Sequence, residues 1–72
     1  MSNFSCKIIR QLANKKSWVE IDEIIDDSKT TYMVHYATYD RRNRKHQGMK
    51  LASTKDKARR IFEDKCGQYG IF

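Results

Sequence analysis

Proline is absent from this sequence, glycine occurs three times and cysteine twice. Without proline there is no rigid polyproline spacer, and no repeat, low-complexity tract or linker interrupts the chain. The cysteines, Cys6 and Cys66, lie near opposite ends and form no CxxC pair. A disulfide would need those ends to meet, and a chain without a secretory signal favours reduced thiols, so two small buried hydrophobes are expected. No apolar run approaches the roughly 20 residues that cross a bilayer, and residues 1–12 lack the apolar block and cleavage site of a signal peptide. The expectation is a cytoplasmic protein with no membrane role. No glycine-rich phosphate loop and no Ser-His-Asp or Cys-His arrangement is visible. Glu20 and Asp22, two apart on one strand face, have no lysine at a catalytic spacing, and His35, His46, Cys6 and Cys66 occur singly, without metal-ligand spacing. A non-catalytic protein is expected, with no metal, no cofactor and no small-molecule substrate.

What is present is charge. At 72 residues the chain is expected to form one small basic domain, 1–72, a size that buries only about 60% of the surface its unfolded form exposes. Apolar residues make up 39% and charged residues 33%, a globular and soluble balance. Fifteen Lys and Arg against nine Asp and Glu give a net charge of +6 and a pI near 9.6, which favours nucleic acid, an acidic membrane face or an acidic protein as partner. Five of the nine acids, Glu20, Asp22, Glu23, Asp26 and Asp27, fall within eight consecutive residues. The rest of the molecule is therefore more basic than the total implies, with one face that binds and one that does not.

The periodicity predicts an α+β fold: an antiparallel three- or four-stranded meander with one C-terminal helix packed on the sheet. Residues 4–12 fit two templates. As a strand they place Phe4, Cys6 and Ile8 inward, with Arg10 breaking the alternation; as a helix they align Phe4, Ile8, Ile9 and Leu12. A hairpin turn at 14–17 favours the strand. The run 18–25 then alternates over its first six residues, Val19 and Ile21 on one face and Glu20 and Asp22 on a solvated one. After a turn at 26–29, the aromatic and β-branched run 30–39 reads as the central strand, with Tyr32, Val34 and Tyr36 on one face and Met33, His35, Ala37 and Tyr39 on the other. Gly48 eases the return into a shorter strand holding Met49 and Leu51. Ser53 or Thr54 caps a helix, Asp56 completing a capping box with Ser53. Ala58, Ile61, Phe62 and Cys66 form its apolar stripe, and Gly67 or Gly70 ends it.

Between the last two strands stands Arg41-Arg42-Asn43-Arg44-Lys45-His46, a hairpin tip with four fixed charges in six residues. One reading is a solvated tip that keeps sheet edges from pairing. The other is a binding finger: guanidinium forks hold phosphates or guanine edges bidentately, and a two-stranded ribbon fits the major groove of DNA. Arg41, Arg42, Arg44, Lys45 and His46 are the primary candidates for nucleic-acid contact, Arg59 and Arg60 on the outer side of the helix the secondary ones. Tyr36 and Tyr39, with Trp18, are candidate stacking residues for a single strand, or else fill the core and sheet surface.

The order strand, strand, basic hairpin, strand, capped helix, carried by Trp18, Tyr32, Val34, Tyr36, Ser53-Thr54, Ala58 and Phe62, resembles the three-stranded DNA-binding domains of AP2 type and the arm-binding domains of tyrosine recombinases. That resemblance implies DNA contact through the sheet and its hairpins, with Arg41, Arg42, Arg44 and Lys45 as the positions carried over. Two functions are carried forward: a nucleic-acid-binding domain, duplex DNA favoured, and a small accessory or inhibitory module of the mobile-element kind that docks its basic tip into an acidic groove of a larger protein.

Overall fold

Two inner strands with matched apolar positions set the interior. In β2 (Ser17–Asp26) and β3 (Lys29–Tyr39), Val19 pairs with Tyr36 and Ile21 with Val34, so alternation delivers all four to one sheet face. Val19, Ile21 and Val34 are buried there. The computed structural model describes residues 4–71 as a four-stranded antiparallel sheet in the order β1-β2-β3-β4, with β1 (Phe4–Ala13) and β4 (Lys45–Ala52) at its edges. The expected domain span 1–72 includes residues 1–3 and 72, which lie outside the described residues. The chain closes with the helix α1 (Lys55–Tyr69), packed across β2, β3 and β4. The α+β meander with a single C-terminal helix on its sheet is thus the observed fold, in its four-stranded form, and residues 4–12 are strand rather than helix.

The helix is built from its caps and its stripe. Thr54, in extended conformation, accepts a hydrogen bond from Lys57 N at 3.2 Å through Oγ1. With Thr54 rather than Ser53 as cap, the residue at the box position is Lys57, so the expected pairing with Asp56 does not form; Asp56 instead complements the helix dipole from the first turn. Ala58, Phe62 and Cys66 are buried and Ile61 is half-buried against the same cluster. Gly70, at φ 68°, takes the left-handed cap, and Gly67 is an ordinary helical residue. Burial pushes the Cys66 thiol up, so it packs as a hydrophobe. Cys6 departs from expectation: it is exposed, and both thiols are free.

The reason lies in β1. Its register against β2 shifts between Ile8 and Arg10, leaving Ile9 as a bulge. Beyond the bulge, Arg10 and Leu12 face Ile21 and Val19; before it, Phe4, Cys6 and Ile8 face Asp26, Ile24 and Asp22. One extra residue therefore turns Phe4, Cys6 and Ile8 away from the helix, onto the opposite sheet face, where Phe4 and Ile8 are exposed rather than inward. Ile9 takes their place against the core, and the Arg10 guanidinium lies 4.7 Å from the centre of the Phe62 ring.

Gly48 also differs from its expected role, because its backbone is not among those with positive φ. It makes room: a Cβ there would stand 2.8 Å from Tyr36 Cε2, and that ring is already held against Tyr69 and beneath Lys65 Nζ, 4.3 Å from its centre. Gly48→Ala is therefore expected to destabilise the fold by about 1–2 kcal/mol in urea denaturation, and pairing it with Tyr36→Leu to recover part of that loss.

Candidate functional site

A meander returns its first and third turns to the same end of the sheet, and here both turns are basic. The turn at 14–16 and the loop at 40–44 are tied side by side by Tyr39 N donating to Lys16 O at 2.9 Å. Ser17 and Thr38 share a 2.6 Å hydroxyl hydrogen bond just behind them, and the end of α1 arrives at the same place, where Asn14 Nδ2 donates to Tyr69 O. Lys15, Lys16, Arg41, Arg42, Arg44 and Lys45 are all exposed at this end, and across residues 14–17 and 40–46 Asp40 is the only carboxylate. Among the described residues Lys15, Lys16, Arg41, Arg42 and Lys45 form no ion pair.

Each turn is organised by one side-chain acceptor. Asn14 Oδ1 accepts from Lys16 N and Ser17 N at 3.0 and 2.7 Å. Asp40 Oδ1 accepts from Arg42 N and Arg44 N, both at 2.9 Å, while Asn43, at φ 60°, closes the loop by donating its N–H to Asp40 O. The other oxygen, Oδ2, meets His46 Nε2 at 2.9 Å and Arg44 Nε at 3.9 Å. The His46 hydrogen bond, followed by the Arg44 and Arg42 amides, holds the Asp40 carboxyl below its usual range. A single carboxylate thus shapes the tip, with Arg41 and Arg42 left unpaired among the described residues and the exposed His46 tied to Asp40.

The other predicted residues are distributed differently. Tyr39 is 40% exposed at the edge of an open cleft of about 470 Å³ whose walls include Lys15, Lys16, Gln68 and Tyr69, so it stands with the basic cluster. Tyr36 is half-buried on the helix side, engaged with Tyr69, Lys65 and Gly48. Arg59 pairs with Asp56 at 3.4 Å, and Arg59 and Arg60 lie in the first half of α1, about 15 Å along the axis from Tyr69. They are not gathered with the tip. Lys15 and Lys16, which the sequence marks only as turn residues, are; the signal is topological, since turns one and three of any meander share an end.

The acidic run leads away from this pole. Asp26 and Asp27 turn the chain at the opposite end, roughly 35 Å distant along an eleven-residue strand and several screening lengths away at physiological salt. Glu20 and Asp22 lie midway, and the expected solvated strand face is not what they form. Asp22 is 7% exposed, its Oδ1 is buried without a hydrogen bond, and its Oδ2 stands 3.5 Å from His35 Nε2. Glu20 accepts weakly from Gln11 Nε2 at 3.4 Å. Burial first, and then Asp22 beside it, push the Glu20 carboxyl above its usual range, partly offset by His35. No cluster of three or more His, Cys, Asp or Glu residues suited to a metal occurs among the described residues, and no helix among them is long and apolar enough to cross a membrane.

Comparison of this chain with protein-family models, with curated proteins and with solved structures finds no match.

Two outcomes test this electrostatic arrangement. Asp40→Ala should speed amide exchange of Arg42 and Arg44 by about tenfold or more, with Asp40→Asn retaining most of the protection because the amide oxygen still accepts. Glu20 binds its proton more tightly folded than unfolded, so its contribution to stability declines as pH rises from the ordinary carboxylate range through the raised native value. Glu20→Gln should accordingly raise the thermal midpoint at neutral pH and leave it nearly unchanged at about pH 3, where both states carry the proton.

Proposed function

We propose that this protein is a non-catalytic, cytoplasmic nucleic-acid-binding domain, with duplex DNA the favoured ligand, and that it contacts the phosphate backbone through the paired basic turns. The observation that carries the reading is the gathering of Lys15, Lys16, Arg41, Arg42, Arg44 and Lys45 at one end of a rigid sheet around a single carboxylate. Preformed cations bind with less loss of side-chain and loop freedom than the same charges on a slack loop. Arginine forks in a turn closed by Asp40 suit phosphate oxygens, and Tyr39 beside them offers a ring to a base or sugar.

Sheet-face contact of the kind the AP2-type resemblance implies is less favourable here. Glu20 and Asp22 lie midway along the face opposite the helix, where they would repel a phosphate backbone, so the reading confines contact to the turns. The second reading, the same pole seated in an acidic groove of a larger protein, uses the same cations and differs in its salt law. Release of condensed counterions from DNA makes log affinity fall linearly with log salt, by about 0.9 per phosphate neutralised.

The experiment is a salt titration of binding to a labelled duplex, to its single strands and to an RNA duplex. With up to six cations engaged, the duplex slope should be about −4 to −5. Changing Arg41, Arg42 and Arg44 together to Glu should flatten it by about three, and Lys15→Glu with Lys16→Glu by about two. Slopes that do not respond to either set would overturn the proposal, while loss of affinity for an acidic protein without any nucleic-acid binding would favour the second reading.

A further inference from the structure

Among the described residues no element covers the second face of the sheet, and exposed apolar side chains stand on both of its edge strands. Phe4 and Ile8 on β1 and Met49 and Leu51 on β4 are 57–66% exposed, and by register Ile24 and Met33 join them across the inner strands. Between these apolar borders lie Glu20, Asp22 and His35. Asp22 is nine-tenths buried with one oxygen unpartnered, although a buried carboxylate normally has its acceptors filled. Among the described residues no Lys or Arg pairs with Glu20 or Asp22.

We propose that this open face is a docking surface for a protein partner that presents a lysine or arginine within an apolar surround. The cation meets Glu20 with the Asp22 carboxylate behind it, and the surround covers Ile8, Met49 and Leu51. Large apolar side chains left exposed together on one face mark an interaction surface. Four strands of about ten residues span roughly 600–700 Å², close to the roughly 800 Å² that one side of an ordinary stable complex buries.

Charge selects among occupants. A nucleic acid would set phosphates against two carboxylates on apolar ground. A second copy in face-to-face register would bring two Glu20-Asp22 pairs together in a drying interface, where like charges are most costly. A cationic group in an apolar setting pairs with Glu20 and relieves its repulsion by the buried Asp22 carboxylate behind it. This site is separate from the basic turns, so the protein would join a nucleic acid at its pole to a protein on its face.

The test is selection of ligands from a displayed library of constrained random 16-residue peptides on the immobilised full chain. Enriched peptides should share a Lys or Arg flanked by apolar residues. Their affinity should fall at least tenfold for Leu51→Lys and for Glu20→Gln, and stay within twofold for the Arg41, Arg42 and Arg44 to Glu variant. Ile8→Lys, on the other border and exposed in the fold, repeats the measurement should Leu51→Lys disturb β4. Peptides without a basic position, peptides lost only with the arginines, or no enrichment would each overturn the proposal. So would a dimer in sedimentation that Leu51→Lys dissolves, which would assign the face to a second copy. Because the arginine variant spares this surface, its failure is distinguishable from failure of nucleic-acid binding.

Discussion

Phe62 lies 1% exposed among Val19, Ile21, Val34 and Ala58, and that contact between one helix and two inner strands is what the rest of the molecule hangs on. A phenylalanine so placed is worth roughly 3–5 kcal/mol relative to alanine, a large part of the 5–15 kcal/mol that holds a typical domain folded. The cluster is small because the chain supplies one helix, and one helix covers one side of a sheet. From this follow the thinness of the body, 15 Å in its shortest dimension, and a second sheet face left without a layer. The bulge at Ile9 is part of the same economy. It sends Ile9 to the cluster and turns Phe4, Cys6 and Ile8 outward.

The meander then distributes charge without further devices. Turns one and three share an end that gathers six of the fifteen lysines and arginines; turn two, at the other end, carries Asp26 and Asp27. At roughly 35 Å the two ends are screened from each other, so the basic pole keeps its field although nine acids are present in the chain. Net charge alone would not have distinguished this arrangement from fifteen cations mixed evenly with nine anions.

Much of this was legible in the residues. Alternation in 18–23, the aromatic and β-branched density of 30–39, the Asn14 turn, and the stripe Ala58, Ile61, Phe62 and Cys66 led directly to strands, turn and helix, because each pattern reports a local preference that the packed structure also satisfies. Arg10 did break the alternation, but a single polar residue does not say whether a strand ends, bulges or tolerates it, and only the register against β2 resolved that. The same limit applied to Asp22, whose burial depends on Ile8 and Met33 beside it in the neighbouring strands. The arginine tip was evident; its union with Lys15 and Lys16, and the separation of Arg59 and Arg60 from it, were properties of topology.

A carboxylate at the centre of a cationic pole looks like a defect in the polyanion site proposed above, since Asp40 cancels one charge of the six nearby. The geometry argues otherwise. Its two oxygens hold two backbone amides, His46 and, at longer range, Arg44, so the loop that carries Arg41 and Arg42 is fixed before any ligand arrives. In a loop without that acceptor, mutual repulsion among arginines would spread them, and a ligand would have to supply the work of gathering them. One negative charge spent on order leaves the outward guanidiniums positioned as a set. A phosphate backbone, which meets several cations at once along a regular spacing, distinguishes such a set from the same charges on a mobile strand.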